Sequence, residues 1–257
     1  MEMFERPAAA YDRFVGRYGR ALGRELIAFA GVHEGATALD VGCGPGPLTA
    51  ELVAVLGAER VAAADPSEPF ARACRERLPG VRVEVAAAEA LPFGDGEFDA
   101  ALAQLVVNFM ADARAGVGEM ARVVRPGGTV AAAVWDYGGG MTMLRGFWDA
   151  ALALDPGAQD EARTMGYATT EELAALWADA GPIDVETGSA EVAAGYEDFE
   201  DLWRPFEAGI GPAGAHTVAL DRGQRAQLKE ELRSRLGVGD EPFSLPARAW
   251  LVRGRVR

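Results

Sequence analysis

Along the first thirty residues the apolar side chains Phe14, Tyr18, Leu22, Leu26 and Phe29 recur every three or four positions. That period predicts an amphipathic helix over 11–30, with a break near Gly16. The pattern then changes. "ATALDVG" is a short buried strand, and "PLTAELVAVLG" is a helix with Pro47 in its first turn and Gly57 at its end. "RVAAADP" reads as the second strand and "SEPFARACRERLPG" as a helix with Ser67 at its N-cap. "VRVEVAAA" and "EFDAALAQLVV" are further strands, separated by the turn-rich "LPFGDGE". "DARAGVGEMARVVRPGG" reads as a helix closing in a Pro-Gly-Gly turn, and "TVAAAVWDY" as the fifth strand. Strands and helices in strict alternation predict parallel strands joined by helical crossovers and covered on both faces.

After residue 137 the alternation loosens. "GGGMTMLRGFWDAALAL" is helical after a glycine hinge, and "TTEELAALWADAG" is a helix with Thr169 and Glu172 at capping-box spacing. "IDVETGSAEV" and the final "ARAWLVRGRVR" alternate like strands. Between them two helices are expected, "YEDFEDLWRPFEAG" and "DRGQRAQLKEELRSRLG", the second with Leu228, Leu232 and Leu236 on one stripe. The expected organisation is one domain over 1–257. It has an N-terminal helical cap (1–30), a core formed by 31–192 and 247–257, and a helical insertion (193–246) that serves as a substrate lid.

Composition narrows the field. Half of the 257 residues are hydrophobic (49%), enough for a full core, and 39 acidic against 25 basic residues leave a formal charge of −14. A general binder of phosphate backbones needs a basic face, so nucleic acid is not the expected partner. The opening "MEMFERPAAAYDRF" is not the apolar stretch of a signal peptide, and no apolar run nears the ~18 residues of a membrane span. A cytoplasmic protein without a membrane partner is expected. Cys43 and Cys74 are far apart in sequence and form no CxxC pair, and His33 and His216 are the only histidines. Neither a disulfide framework nor a metal site is indicated.

The chemistry is concentrated in "ALDVGCGPGPLT", residues 38–49. Asp40 ends a strand, and Gly42, Gly44 and Gly46 follow at alternate positions, leaving a backbone that a ligand can approach closely. The dinucleotide fingerprint GxGxxG requires a third glycine where Pro47 stands, and no Lys-Ser or Lys-Thr completes a triphosphate loop. Asp65 ends the second strand, where a carboxylate can accept from the two hydroxyls of a ribose. A tight turn and a turn aspartate are the alternative readings of the two features taken singly.

"LDVGCGPG", "AADPS", "AEALPFGDGEFDAALA" (88–103) and "EMARVVRPGGTVAAAVWD" (119–136) occur in this order over roughly residues 36–136. In these four motifs the chain resembles the class I S-adenosylmethionine-dependent methyltransferases, of the methyltransferase type 11 small-molecule group. The resemblance implies a Rossmann-like, doubly wound, seven-stranded and mostly parallel sheet with its last strand antiparallel, plus the helical lid. It implies S-adenosyl-L-methionine as cofactor. Asp40, Gly42, Gly44 and Gly46 would line its methionine and ribose portion, Asp65 would hold the ribose hydroxyls, and Pro66 would lie beside the adenine. Ala88 and Glu89 would meet the adenine edge, although Ala87 stands where many relatives carry an acid. Gln104 and Leu105 would sit under the methionine and sulfonium. Tyr18, with Tyr11 and Phe14, would fold over the cofactor or simply pack on the sheet.

A sulfonium methyl group is already activated, so alignment and exclusion of water do most of the work and a base is optional. His216 is the candidate base, with a surface-loop histidine as the other reading; His33 precedes the first strand, at the wrong end of the sheet. Asn108, Phe109, Trp135, Asp136, Tyr137 and Trp203 are candidates for the acceptor pocket, against ordinary packing. Cys43 reads as a small packing residue. The expected reaction is in-line methyl transfer to a small-molecule acceptor by a monomer or homodimer. Two other readings stay open at this point. A nicotinamide-dependent oxidoreductase is disfavoured by Pro47 and by the absence of a Tyr-x-x-x-Lys pair, Lys229 being the only lysine. A cofactor-binding protein without catalysis is the other.

Overall fold

The computed structural model describes residues 13–257; Tyr11 and the start of the expected N-terminal helix lie outside them. The chain divides into two compact units. One comprises Gly19–Trp135, Gly166–Ala190 and Ala249–Arg257; the other comprises the segment ending at Tyr18, Asp136–Met165 and Glu191–Arg248.

The first unit is built on the predicted alternation. Helix α1 (Gly19–Ala30) follows a 3-10 turn over Val15–Tyr18, which is the break expected near Gly16, and it buries Leu22, Leu26 and Ile27. Strand β1 (Ala38–Val41) leads to α2 (Pro47–Leu56), β2 (Val61–Asp65) to α3 (Glu68–Arg77), and β3 (Arg82–Val85) to β4 (Phe98–Gln104). Helix α4 (Ala113–Val123) precedes β5 (Val124–Trp135). Every residue of β1 and β2 is buried, as strands covered on both faces require.

The seven-stranded sheet has the order β3-β2-β1-β4-β5-β7-β6, with β6 at Ile183–Tyr196 and β7 at Phe243–Arg255. The pairs β1–β2, β1–β4, β2–β3 and β4–β5 are parallel and β5–β7 is antiparallel, the Rossmann-like arrangement anticipated. Strand order reverses between β1 and β4. In open α/β sheets ligands bind beyond the carboxyl ends of the strands at such a switch point.

One boundary differs from expectation. Helix α4 stops at Val123, and "RPGG" belongs to the start of β5 rather than to a turn that closes the helix. The register jumps from Phe98↔Val124 to Ala100↔Thr129, so Arg125–Gly128 bulges from the ladder. Pro126 has no N–H to give the ladder, and a side chain at Gly128 would put its Cβ 2.5 Å from the Asp99 carbonyl oxygen.

The second unit is helical: α5 (Thr142–Leu154), α6 (Glu161–Thr164), α8 (Phe199–Glu207), α9 (Gly211–Ala219) and α10 (Arg222–Leu236). (α7, Thr170–Ala180, belongs to the first unit.) Three helices, not two, lie between β6 and β7. The additional one, α9, is small and Gly/Ala-rich and carries no apolar stripe that a period search would detect. An aromatic cluster forms this unit's core: Phe147 stacks on Phe206 at 4.6 Å, and Phe14 meets the same ring edge-on at 5.2 Å. Leu228 and Leu232 of the predicted stripe are buried, and Gly146 of α5 admits Leu236, whose Cδ2 would lie 2.9 Å from a Cβ there. Among the described residues no helix is long and apolar enough to cross a membrane.

Candidate functional site

The glycine loop leaves β1, which is paired with β4 in the sheet. Gly42 has φ 70°, and a Cβ on it would stand 2.4 Å from Val106 Cγ2, so only glycine fits under the turn that follows β4. Gly44, at φ 54°, has nothing within 4 Å of its Cβ position, so the loop's surface is open there. Gly46 caps α2 with a left-handed backbone, and Pro47 takes the first helical position.

Asp65 closes this arrangement from β2. Its Oδ2 accepts from Gly44 N–H at 2.8 Å and its Oδ1 from Ser67 N–H at 2.8 Å. Each oxygen keeps a lone pair for a further donor. Burial raises the Asp65 pKa, and the two backbone donors offset part of that rise. Ser67 stands at the N-cap of α3 without a side-chain capping bond.

Asp40 is 1% exposed. Its Oδ2 accepts from Thr49 Oγ1 at 2.6 Å, while its Oδ1 is buried without a partner among the described residues. Burial pushes its pKa up to about 7, against the hydrogen bond from Thr49, and the nearby Asp65 charge adds to the rise. Gln104, at the end of β4, donates from Nε2 to the Gly19 carbonyl at 3.0 Å, and its Oε1 is likewise buried without a partner among the described residues. Two unpaired acceptors therefore stand at the carboxyl ends of adjacent parallel strands. Leu105 follows in a left-handed conformation (φ 62°), held by its N–H to the Ala133 carbonyl at 2.8 Å. A non-glycine residue with such a φ stores strain of the kind that gathers at functional sites.

The "AEALPF" loop is pinned from α4. Glu119 Oε2 accepts from Leu91 N–H at 3.1 Å, and Arg122 donates to the Leu91 and Phe93 carbonyls at 3.0 and 2.9 Å. The Arg122–Glu119 contact holds the Glu119 carboxyl below its usual range. Glu89 Oε1 takes the N–H of Asp112, the N-cap of α4, at 3.1 Å; Ala88 is buried and Pro66 exposed.

The fold thus gathers Asp40, Gly42, Gly44, Asp65 and Gln104 in the first unit. Thr49 and Val106 support them, Glu119 and Arg122 hold the loop at Leu91 and Phe93, and none of the four was singled out from sequence; the Glu119/Arg122 spacing on one helix face was the available signal. Asn108 is half-buried, its Nδ2 donating to the Gly166 carbonyl and its Oδ1 buried without a partner. Phe109 is exposed, and Trp135 is buried at the end of β5. His33 lines a cavity of about 320 Å³ with Asp99, Arg125 and Arg253, by the amino end of β4.

The remaining candidates belong to the second unit. The Tyr18 hydroxyl shares a 3.0 Å hydrogen bond with Tyr196. Tyr137 and Trp203 are buried, and among the described residues the Trp203 indole N–H has no acceptor. Asp136 is held by Arg248 at 2.6 Å and by Gly138 N–H at 3.1 Å, which leaves it poorly suited to act as a base. His216 lies within α9, not in a loop, with its ring 5.5 Å from that of Trp148; burial lowers its pKa, partly offset by Asp155.

Comparison with known proteins accords with this geometry. Residues 39–132 match a family model described as "Methyltransferase domain". The chain is 31% identical over 230 residues to a malonyl-[acyl-carrier protein] O-methyltransferase of Pseudescherichia vulneris, covering 88% of this chain and 86% of that one. The enzyme of the same description from Geobacter sulfurreducens is 31% identical over 220 residues, covering 84% and 81%. A Thermotoga maritima structure described as a "SAM-dependent methyltransferase, possible histamine N-methyltransferase" shares the fold, with a TM-score of 0.60 at 18% identity over 100% of this chain and 99% of that one. With the Rossmann-like sheet, the glycine loop at its switch point and relatives aligned over most of both chains, this chain belongs to the S-adenosylmethionine-dependent methyltransferases.

Proposed function

We propose that the carboxyl ends of β1, β2 and β4 hold S-adenosylmethionine and that the chain moves its methyl group to a small-molecule acceptor. The observation that carries the cofactor assignment is the pair of unpaired buried acceptors, Asp40 Oδ1 and Gln104 Oε1. Buried polar atoms without partners are costly, and a methionine α-ammonium carries three donors of the right sign. Asp65, with a free lone pair on each oxygen, suits a vicinal diol, and the open surface at Gly44 admits the ligand against the main chain. Ala88 and Glu89 take the adenine edge beside Pro66, and Leu105 lies under the sulfonium. When bound, the cofactor supplies a methyl group on a positively charged sulfur. The chain's own task is to fix that group, orient the acceptor and exclude water.

The acceptor tested first is an oxygen nucleophile. Support comes from the two O-methyltransferase relatives; an ionised carboxylate acceptor needs no base. Asn108, Phe109 and Trp135, all in the first unit, are proposed as residues that select the acceptor. The buried free thiols fit a reducing compartment, the cytoplasm, and a monomer or homodimer is proposed.

The test is release of adenosylhomocysteine from adenosylmethionine across a panel of malonyl thioesters, small carboxylic acids, phenols and amines. Acceptor-dependent release with the methyl recovered on the acceptor is the expected result. Tight cofactor binding with no release on any acceptor would favour a binding protein instead.

A further inference from the structure

Strand β4 ends at Gln104, and the chain turns sharply beyond it. Leu105 is left-handed, Val106 lies against Gly42, and Val107–Phe109 forms a single 3-10 turn. Asn108 is the polar residue of that turn, between buried Val107 and exposed Phe109. It stands just past the carboxyl end of β4, the edge at which an open α/β sheet presents its ligands.

The Asn108 amide has a fixed orientation. Its Nδ2 donates to the Gly166 carbonyl, and a carbonyl accepts only from the nitrogen. A flipped amide would set two acceptors face to face. The Gly166 carbonyl is itself held in place. Tyr167 beside it is left-handed (φ 57°), and Ala168 N–H donates to Glu172 Oε2 at 2.8 Å. Thr169 caps α7 by accepting from Glu172 N–H at 3.2 Å. Helix α7 is tied to α4 by Arg114, which donates to the Asp179 carbonyl at 3.1 Å. All of these residues belong to the first unit. The fixed amide leaves Oδ1 buried and, among the described residues, without a donor. An amide oxygen sealed from water is costly to leave unpaired, so a donor from outside the chain completes it.

We infer that Asn108 is a specificity-determining residue whose Oδ1 accepts a hydrogen bond from a neutral N–H or O–H of the methyl acceptor, at a group other than the atom methylated. This rests on the reading of the β4 edge as the place of methyl transfer, and it names the chemistry that the acceptor must carry there. A neutral amide brings no charge to offset the desolvation of an ammonium, so the donor is an amide N–H or a hydroxyl. An amide oxygen does not take up the proton that a reacting O–H must lose, so the group it holds lies elsewhere on the acceptor. An acceptor without that donor leaves Oδ1 unpaired in a closed site and is rejected far more strongly than one that merely lacks a methylene.

The experiment compares two pairs of carboxylate acceptors, the members of each differing by one donor. S-malonyl-N-acetylcysteamine is set against its analogue with an ester oxygen in place of the amide N–H, and hydroxyacetate against fluoroacetate. Calorimetry on the full-length protein, with and without adenosylhomocysteine, reads binding of each probe; adenosylhomocysteine release from adenosylmethionine reads kcat/KM. In at least one pair the donor-bearing member is expected to bind and react better by roughly tenfold or more, and the pair that shows this tells an amide from a hydroxyl. Asn108→Ala is expected to bring that ratio to about one by weakening the donor-bearing member alone, with adenosylhomocysteine binding unchanged. Asn108→Leu, which keeps the side-chain volume, behaves in the same way and serves if the alanine variant fails to fold. A residue that only tethers Gly166, or whose Oδ1 holds only a water, would leave the ratio as it was. The inference is overturned if neither pair shows a preference in the wild type, or if the ratio survives both substitutions. Cofactor binding is read separately in the same titrations, so its failure, which would strike at the cradle reading, is distinguished from the absence of a donor preference.

Discussion

Asp40 is where stability and function pull apart. A carboxyl with a folded-state pKa of about 7 binds more protons folded than unfolded between about pH 4 and 7. The ligand-free protein therefore carries no penalty from Asp40 below pH 4, loses stability as pH rises through that window, and carries a constant penalty above it, on the order of 4 kcal/mol. Asp40→Asn keeps an acceptor for Thr49 and removes the buried charge. It is expected to raise the ligand-free melting temperature at pH 8 and leave it unchanged at pH 4, while weakening adenosylhomocysteine binding by roughly 10- to 100-fold. Thermal melts at the two pH values and a calorimetric titration check both halves. An Asn variant that binds as tightly as wild type would remove Asp40 from the site. The strand-end positions of Asp40 and Asp65 were legible in the sequence because apolar runs stop there, while Gln104 came only from the family resemblance. Thr49 and Val106 were not legible, because their contacts depend on how α2 and the turn after β4 dock.

At the level of elements, the crossing of the glycine loop under the turn after β4 makes two predictions. Gly42→Ala drives a methyl group into Val106 and is expected to abolish detectable cofactor binding; Gly42→Ala with Val106→Ala recovers part of it, because the steric share is relieved while the backbone strain at φ 70° stays. No recovery in the double variant, measured by the same titration, would mean that this contact does not set the loop. Leu105 allows a comparison of two truncations. At an ordinary position glycine is less stable than alanine, but at φ 62° the order inverts, so Leu105→Gly is expected to exceed Leu105→Ala by about 1 kcal/mol in denaturant unfolding. The strand–helix alternation was readable from periodicity through β5. Helix α9 was not, since glycine and alanine form it without a hydrophobic stripe, and "RPGG" was misplaced because a turn signal also marks a bulge.

For the whole molecule, a ligand that binds only the folded state raises its stability by mass action. Adenosylhomocysteine at a hundredfold excess over its Kd adds about 2.7 kcal/mol, a rise of roughly 5–10 °C in melting temperature for a chain of this size. Asp65→Ala, which removes the acceptor of the Gly44 and Ser67 N–H groups, is expected to lose that rise at the same ligand concentration. In the proposed site a cationic amino group meets two buried acceptors, in keeping with the chain's formal charge of −14. The most direct test of that site is a crystal structure of the reduced protein with adenosylhomocysteine. The cradle predicts the ribose hydroxyls on Asp65 and the α-ammonium within hydrogen-bond reach of Asp40 Oδ1 and Gln104 Oε1; an ammonium bound elsewhere, with both acceptors still unpaired, would contradict it.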